Sequence, residues 1–375
     1  MQPHTRVGEA ILPRKQCPDC APEITCSNTL VSSRRLVVDL YASAEQWSLT
    51  RLGADEIRNE TPVGWTVDFV SAPTFADGDG GLPPSDAALS AIRDAEVYFG
   101  FGVSRPLFLT ATRLRWIHSA AAGVGSLLFK EILESEVVIT NSAGIHAVPI
   151  AEYVLGGILY LLRSFDVAVE QQRKKIWDKA PFVGASSTMR EVADCRAVII
   201  GTGGLGTAVA ERLSALGGSC SGIRRNPDKG VPPGFDRVEG PGALAGMVAG
   251  CDLLIITAPA TNETRQLVTT DILDRLSPGA IVVNVSRGSL MDEEALAARI
   301  ASGRLRGAVL DVFREEPLPS ESPLWTLPGV LVTPHVSGVT KRGFWRRELA
   351  LFLNNWHRYA SGRPLRNVVD KTAGY

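Results

Sequence analysis

The chain has 375 residues, with 39 lysines and arginines against 40 aspartates and glutamates, for a formal net charge of −1. That balance offers no basic face to nucleic acid or to an anionic membrane surface, and the length exceeds what one compact core usually occupies, so two domains are expected. Six cysteines, with no apolar secretory segment ahead of them, read as reduced thiols of a cytoplasmic protein.

Residues 1–34 carry Pro, Cys and charge without periodicity and are expected to be an extension outside the fold. Their "CPDCAPEITC" places Cys17 and Cys20 at metal-ligand spacing, with Cys26 a third thiol and His4 a remote fourth. No second C-x-x-C follows, so no metal is expected. From Arg35 the pattern alternates β and α. "RLVVDL" (35–40), "WTVDFV" (65–70), "VYFGF" (97–101), "LRWIHSA" (114–120) and "VVIT" (137–140) predict strands, "PSDAALSAIRDA" (84–95) a capped helix, and "DGDGGLPPSD" (77–86) a surface loop. The apolar run 147–165 contains Glu152 and ends near Arg163, so it predicts a buried helix over 148–165 and not a membrane span.

A second series begins at "RAVIIGTGGLGTAVAERLSALG" (196–217) and continues through strands "DLLIIT" (252–257), "AIVVNV" (280–285), "GAVLDV" (307–312) and "VLVTP" (330–334). Short apolar strands spaced by helices imply parallel sheets covered on both faces. The predicted fold is therefore α/β, with two doubly wound parallel-sheet domains and a cleft between them. A flavodoxin-like substrate domain spans 35–145 and is completed by 339–375, where "RGFWRRELALFLNNWHRYASG" predicts a helix that packs back on it. A Rossmann cofactor domain spans 146–338, and chain crossings near 141–150 and after 338 are expected to act as hinges.

Gly201, Gly203 and Gly206 form G-x-G-x-x-G between a predicted strand and a predicted helix, the context in which that spacing marks a dinucleotide site. The glycines permit a tight turn and close approach to a pyrophosphate, and the helix N-terminus adds N–H groups and positive potential. About twenty residues on, where an acid would accept from the ribose 2′-OH of NAD, "SGIRRNP" (221–227) holds Arg224 and Arg225. An arginine cannot accept those bonds but pairs with phosphate, which predicts NADP as the preferred cofactor with NAD still possible.

Three further predicted strands end in "VNVSRGSLMDEEAL" (283–296), "DVFREEP" (311–317) and "TPHVSG" (333–338), so Arg287, Glu316 and His335 are expected to converge at the carboxyl edge of one sheet. An arginine holds a carboxylate and a neighbouring carbonyl oxygen, a histidine passes a proton to that oxygen, and a glutamate beside it stabilises the imidazolium. With a nicotinamide the set reduces a 2-keto acid.

From about residue 84 onward the sequence resembles the D-isomer-specific 2-hydroxyacid dehydrogenase family, most densely over 280–338. The resemblance implies the catalytic set Arg287, Glu316 and His335, and a substrate carboxylate held with Arg287 by "SAAAGVGSL" (119–127) through backbone N–H groups near Ala122 and Gly123. It implies that Asp311 holds the nicotinamide carboxamide and that "TAPATNET" (257–264) lies along the cofactor. The expected cofactor contacts are thus Gly201, Gly203, Gly204, Leu205, Gly206, Arg224, Arg225, Pro259, Thr264, Val285, Ser286, Asp311 and Gly338. It further implies a homodimer built around the helix 148–165, and Glu316, where formate dehydrogenases of the superfamily usually have glutamine, argues against formate. Arg224 stands where the family often has aspartate, and Gly125 where an aspartate is common. A dinucleotide-sensing co-regulator of the same superfamily is the alternative, and glyoxylate, hydroxypyruvate and bulkier 2-keto acids all stay open as substrates. Trp116 and Trp345 are expected in the core or at a domain contact.

Overall fold

The structure, a computed structural model, describes residues 34–375 apart from 44, 74, 78–79, 82, 186, 341–342 and 375. Cys17, Cys20, Cys26 and His4 lie outside the described residues. Among the described residues no cluster of His, Cys, Asp and Glu could hold a metal ion.

Strands β1 (Arg34–Asp39) and β2 (Trp65–Phe69) are followed by a short antiparallel hairpin, β3 (Phe75–Asp77) with β4 (Gly80–Gly81), and then by β5 (Val97–Gly100), β6 (Trp116–Ser119) and β7 (Val138–Asn141). The hairpin lies partly in the stretch expected to be a plain loop, because Gly80 and Gly81 return the chain alongside Phe75–Asp77. The five long strands form a parallel sheet in the order β2-β1-β5-β6-β7, the flavodoxin-type doubly wound order. One face packs on Ile92, Leu107 and Ile132. The other is covered by Phe344, Leu349, Phe352 and Trp356 of the C-terminal helix Gly343–Ala360. Trp116 lies wholly inside that second cluster, stacked at 5.8 Å on Phe352. Trp345 is half-buried against Phe344 and Phe101.

The second sheet has seven parallel strands, β8 (Arg196–Ile200), β9 (Ser219–Ile223), β10 (Arg237–Glu239), β11 (Leu253–Ile256), β12 (Ile281–Asn284), β13 (Gly307–Leu310) and β14 (Val330–Val332), in the order β10-β9-β8-β11-β12-β13-β14. This is the Rossmann order with one added strand, and it reverses direction between β8 and β11, where ligands bind in such sheets. Its central strands are buried on both faces, as their unbroken apolar sequence requires. Val198, Leu254, Val282 and Ala308 face one cluster with the helices Thr270–Arg275 and Glu293–Ala301. Ile199, Ile255, Val283 and Val309 face another with the helices Ala147–Leu162 and Gly204–Ala215.

The helix expected over 148–165 ends at Leu162, and a second helix, Phe165–Lys174, follows. Ser164, between them, is left-handed at φ 53° and almost fully buried. Arg306 explains the break: its Nη2 donates to the Leu161 carbonyl and its guanidinium pairs with Asp166 at 2.6 Å, so helix end and helix start are tied to one cation at the foot of β13. Among the described residues no single helix is long and apolar enough to cross a membrane, and these two pass such a test only as a pair bent by 65°.

Candidate active site

The glycine turn after β8 is sterically determined. Gly201 is left-handed at φ 102°, and a Cβ there would lie 2.7 Å from the Ala258 amide nitrogen on β11's outgoing loop. A Cβ on Gly206 would fall 1.9 Å from the Gly201 carbonyl oxygen. Thr257 Oγ1 donates to that same carbonyl at 2.8 Å, which fastens the turn to the neighbouring strand at the switch point. Gly203 caps the helix Gly204–Ala215 and faces open space. A cradle that excludes side chains at two positions and leaves a helix N-terminus open fits a pyrophosphate.

The other expected cofactor residues divide. Arg224 is half-buried and its Nη1 donates to the Gly230 carbonyl at 3.1 Å, while exposed Arg225 sits 3.8 Å from Glu263. Thr264 Oγ1 donates to the carbonyl of exposed Pro259 at 2.7 Å, shaping the loop after β11. Val285 directs its side chain into the core, and Leu205 is half-buried against the same cluster. Ser286 is likewise buried, its hydroxyl bonded to the Ala258 carbonyl. Gly338 receives the ring of His146, whose Nδ1 is 3.2 Å from the Gly338 oxygen. Burial holds that imidazole below its ordinary pKa.

The structure gives Asp311 bonds within its own loop besides the role the resemblance implies. Its side chain has no solvent exposure, and its carboxylate accepts from Thr333 Oγ1 at 2.5 Å and from the Val336 and Ser337 amides at 2.8 Å each. Tyr153 Oη lies 2.7 Å from Thr333 Oγ1 and extends the chain of bonds, its hydroxyl pushed up to about 12 by burial. A carboxylate that accepts from three donors of its own loop anchors residues 333–337, and its Oδ2, with one bond, keeps acceptor capacity.

That loop carries His335, left-handed at φ 53°, with its amide donating to the Asp311 carbonyl at 2.9 Å. Its Nδ1 lies 2.9 Å from Glu316 Oε2, and Glu316 Oε1 accepts from the Phe313 amide at 2.9 Å. The carboxylate is thus held at both ends, one oxygen by backbone and one by imidazole, which leaves the His335 Nε2 for a ligand. Arg287 sits at the end of β12. Its Nη1 donates to the Ser286 carbonyl at 2.7 Å, and a Cβ built on Gly123 would come 3.1 Å from its Nη2. The guanidinium therefore lies against Gly123 of the loop after β6 of the other sheet, next to exposed Ala122.

Two asparagines not picked out from sequence hold this arrangement. Buried Asn284 accepts from the Ser286 amide and donates to the Arg287 carbonyl at 3.0 Å. Asn141 donates to the Ala122 carbonyl at 2.7 Å and accepts from Ala143. Each is a polar residue closing an apolar strand, a sequence signal for a strand-end loop that needs side-chain partners.

The model of the D-isomer specific 2-hydroxyacid dehydrogenase NAD binding domain matches residues 155–337. A glyoxylate/hydroxypyruvate reductase A of Salmonella heidelberg (strain SL476) is 31% identical over 274 residues, 71% of this chain and 84% of that protein. A D-isomer specific 2-hydroxyacid dehydrogenase of Xanthobacter autotrophicus Py2, solved with NADPH and MES, superposes with a TM-score of 0.74 at 29% identity, over 92% of this chain and 100% of that one. An NADPH-dependent glyoxylate/hydroxypyruvate reductase of Sinorhizobium meliloti, solved with NADP and sulfate, gives a TM-score of 0.71 at 26% identity, over 91% and 100%. With the glycine cradle at the switch point of a Rossmann sheet and the His–Glu pair at its carboxyl edge, the chain belongs to the D-isomer-specific 2-hydroxyacid dehydrogenase family and is an NAD(P)-dependent oxidoreductase.

Proposed function

We propose that the protein reduces short 2-keto acids of the glyoxylate and hydroxypyruvate type, prefers NADPH, and in reverse oxidises the corresponding 2-hydroxy acids, as the D-isomer where C2 is chiral. The observation that carries this reading is the His335 Nδ1 to Glu316 Oε2 contact of 2.9 Å, with Glu316 pinned by the Phe313 amide. The glyoxylate/hydroxypyruvate reductases of Salmonella and Sinorhizobium support the choice of acid, and the NADPH dependence of the Sinorhizobium enzyme supports the choice of cofactor.

A bound nicotinamide supplies the hydride. Arg287 holds the substrate carboxylate and its carbonyl oxygen, and the amides of Ala122 and Gly123 complete the carboxylate site. As negative charge develops on the carbonyl oxygen, the Nε2–H of the His335 imidazolium donates its proton there. Glu316 keeps the Nδ1 proton in place throughout, so the ring loses only its Nε2 proton, and the imidazole, 40% exposed, regains it from solvent. Arg224 and Arg225 take the 2′-phosphate of the cofactor. The crossings at 141–150 and after 338 close the cleft and exclude water.

The protein works as a cytoplasmic homodimer. Phe165, Ile176, Trp177 and Val183 are exposed apolar side chains next to the Ala147–Leu162 helix, a surface suited to a second copy, and Cys195, Cys220 and Cys251 are buried free thiols, as a reducing compartment favours.

Turnover of a 2-keto acid panel with NADPH tests the reading, together with His335→Ala. That variant should bind NADPH normally and lose roughly 10²–10⁴ in kcat, the usual share of general acid–base catalysis. A parent that reduces none of the acids, or a variant as fast as the parent, would overturn it.

A further inference from the structure

The turn that presents Glu316 offers two successive amides, and each is taken by a carboxylate. The Phe313 amide donates to Glu316 Oε1 at 2.9 Å, and the Arg314 amide donates to Glu293 Oε1 at 2.6 Å. Glu293 is the first residue of the helix Glu293–Ala301, whose start is fixed by Asp292 accepting from the Ala295 amide at 2.9 Å. The turn is also packed against the strand end that carries Arg287. A Cβ on Gly288 would lie 1.9 Å from the Phe313 carbonyl carbon.

We propose that Glu293 is a positioning residue for the reaction, holding the 313–316 turn through the Arg314 amide and adding a second negative charge behind the Glu316–His335 pair that favours the imidazolium. The assignment of His335 as proton donor is the reading above, and this inference rests on it.

The charge is the informative part. As an acceptor for the Arg314 amide alone, a glutamine would serve, with no charge to bury and no second carboxylate beside Glu316. Instead, burial first, and then the negative charges of Glu316 and Glu294, push the Glu293 carboxyl above its ordinary pKa despite the Arg314 amide bond and the Arg314 charge. The favourable field of a helix N-terminus does not reverse that direction. The Arg314 guanidinium, paired at 3.0 Å with exposed Glu294, lowers the Glu293 carboxyl without reversing that direction. Other charges face the dyad as well: Arg287 with the substrate carboxylate, and Asp311, which accepts from the Val336 and Ser337 amides just after His335. Glu293 and Glu316 accept from successive amides of one turn, so the charge of the first lies behind the second and acts on the histidine from there.

The sign for stability follows from linkage. A carboxyl whose folded pKa is raised binds its proton more tightly when folded, so its contribution is present at low pH and is lost as pH rises through the folded value. Glu293→Gln should therefore melt at or above the parent's temperature at pH 8, with the gap closing as pH falls toward 4, and should bind NADPH within about twofold of the parent.

The deciding experiment follows the imidazole of residue 335 by NMR in parent and Glu293→Gln, its signal assigned by its absence in His335→Ala. The midpoint should move toward acid by about half a pH unit, on the order of what one nearby, partly screened charge exerts. The high-pH limb of kcat/KM for keto acid reduction should move with it, giving about a threefold loss beyond the limb. An unmoved imidazole midpoint sinks the proposal, whatever the melting curves do. A moved midpoint without any keto acid turnover sinks the functional reading and leaves the role of Glu293 standing.

Discussion

Asp311→Asn separates two roles for one buried carboxylate. The side chain accepts three bonds, two on Oδ1 from Thr333 Oγ1 and the Val336 amide and one on Oδ2 from the Ser337 amide. The best-fitting carboxamide keeps its oxygen at the Oδ1 position, so its NH₂ group faces the Ser337 amide, donor against donor. Ser337 is buried, and leaving such a group unpaired costs about 1–3 kcal/mol. The two retained bonds fall from charge-assisted to neutral, a loss of about 1 kcal/mol each. Relief from burying a carboxylate offsets part of this, so the net loss should be about 2–4 kcal/mol, visible as a fall of roughly 5–15 °C in Tm. The same bonds hold His335 at φ 53°, a conformation that costs a non-glycine residue about 1–3 kcal/mol and needs such an anchor. Turnover should therefore drop with stability, by on the order of 10–100-fold. Thermal melts with and without NADPH, together with steady-state rates, check this. A variant that melts with the parent while losing turnover would refute the anchor and leave the carboxamide role alone to account for the loss.

What was legible in the sequence was mostly local. The glycine spacing works because a turn between one strand and one helix is built within a few residues, and Gly201 and Gly206 prove to be places where a Cβ meets backbone. The strand ends carrying Arg287 and His335 were legible because parallel strands are short unbroken apolar runs, fully buried in β12 and half-buried in the edge strand β14. What escaped depends on distant partners. Nothing near Arg163 in the chain announces that Arg306, more than a hundred residues on, will pair with Asp166 and break the helix. That the Asp311 side chain also anchors residues 333–337 is visible only once that loop folds over it. Glu293 reads as one acid of a solvated "DEE" helix start, and only the return of Arg314 in space gives it a backbone donor and a carboxylate neighbour. Polar residues ending apolar strands, Asn141 and Asn284, are the general signal that was available and unused.

The glycine turn gives a test that separates folding from binding. Gly206→Ala should disrupt the turn and abolish NADPH binding, whereas Gly203→Ala, with open space and an ordinary φ of −74°, should fold normally and still weaken NADPH in a fluorescence titration by tenfold or more, on the order of 1.4 kcal/mol; an unaffected Kd would remove the pyrophosphate from this turn. Arg287→Lys keeps the charge but not the planar fork, so kcat/KM should fall by about 1.5–3 kcal/mol, roughly 10–100-fold; full activity would make Arg287 a structural residue. The cofactor preference is decided at Arg224. In the structure its Nη1 is bonded to the neutral Gly230 carbonyl at 3.1 Å, and Arg225 faces Glu263 at 3.8 Å with both side chains well exposed. Binding a 2′-phosphate exchanges those weak contacts for charge-assisted ones worth about 1.5–3 kcal/mol each before screening. Allowing for the contacts given up, NADPH should be preferred over NADH by on the order of 10–10³ in kcat/KM, and added salt should erode that preference while leaving NADH kinetics nearly flat. Arg224→Asp does more than delete an attraction, because it repels the phosphate and offers the free 2′-OH an acceptor, so the preference should invert. Equal use of both cofactors by the parent, or an Arg224→Asp variant with the parent's preference, would mean that the two arginines only decorate the loop.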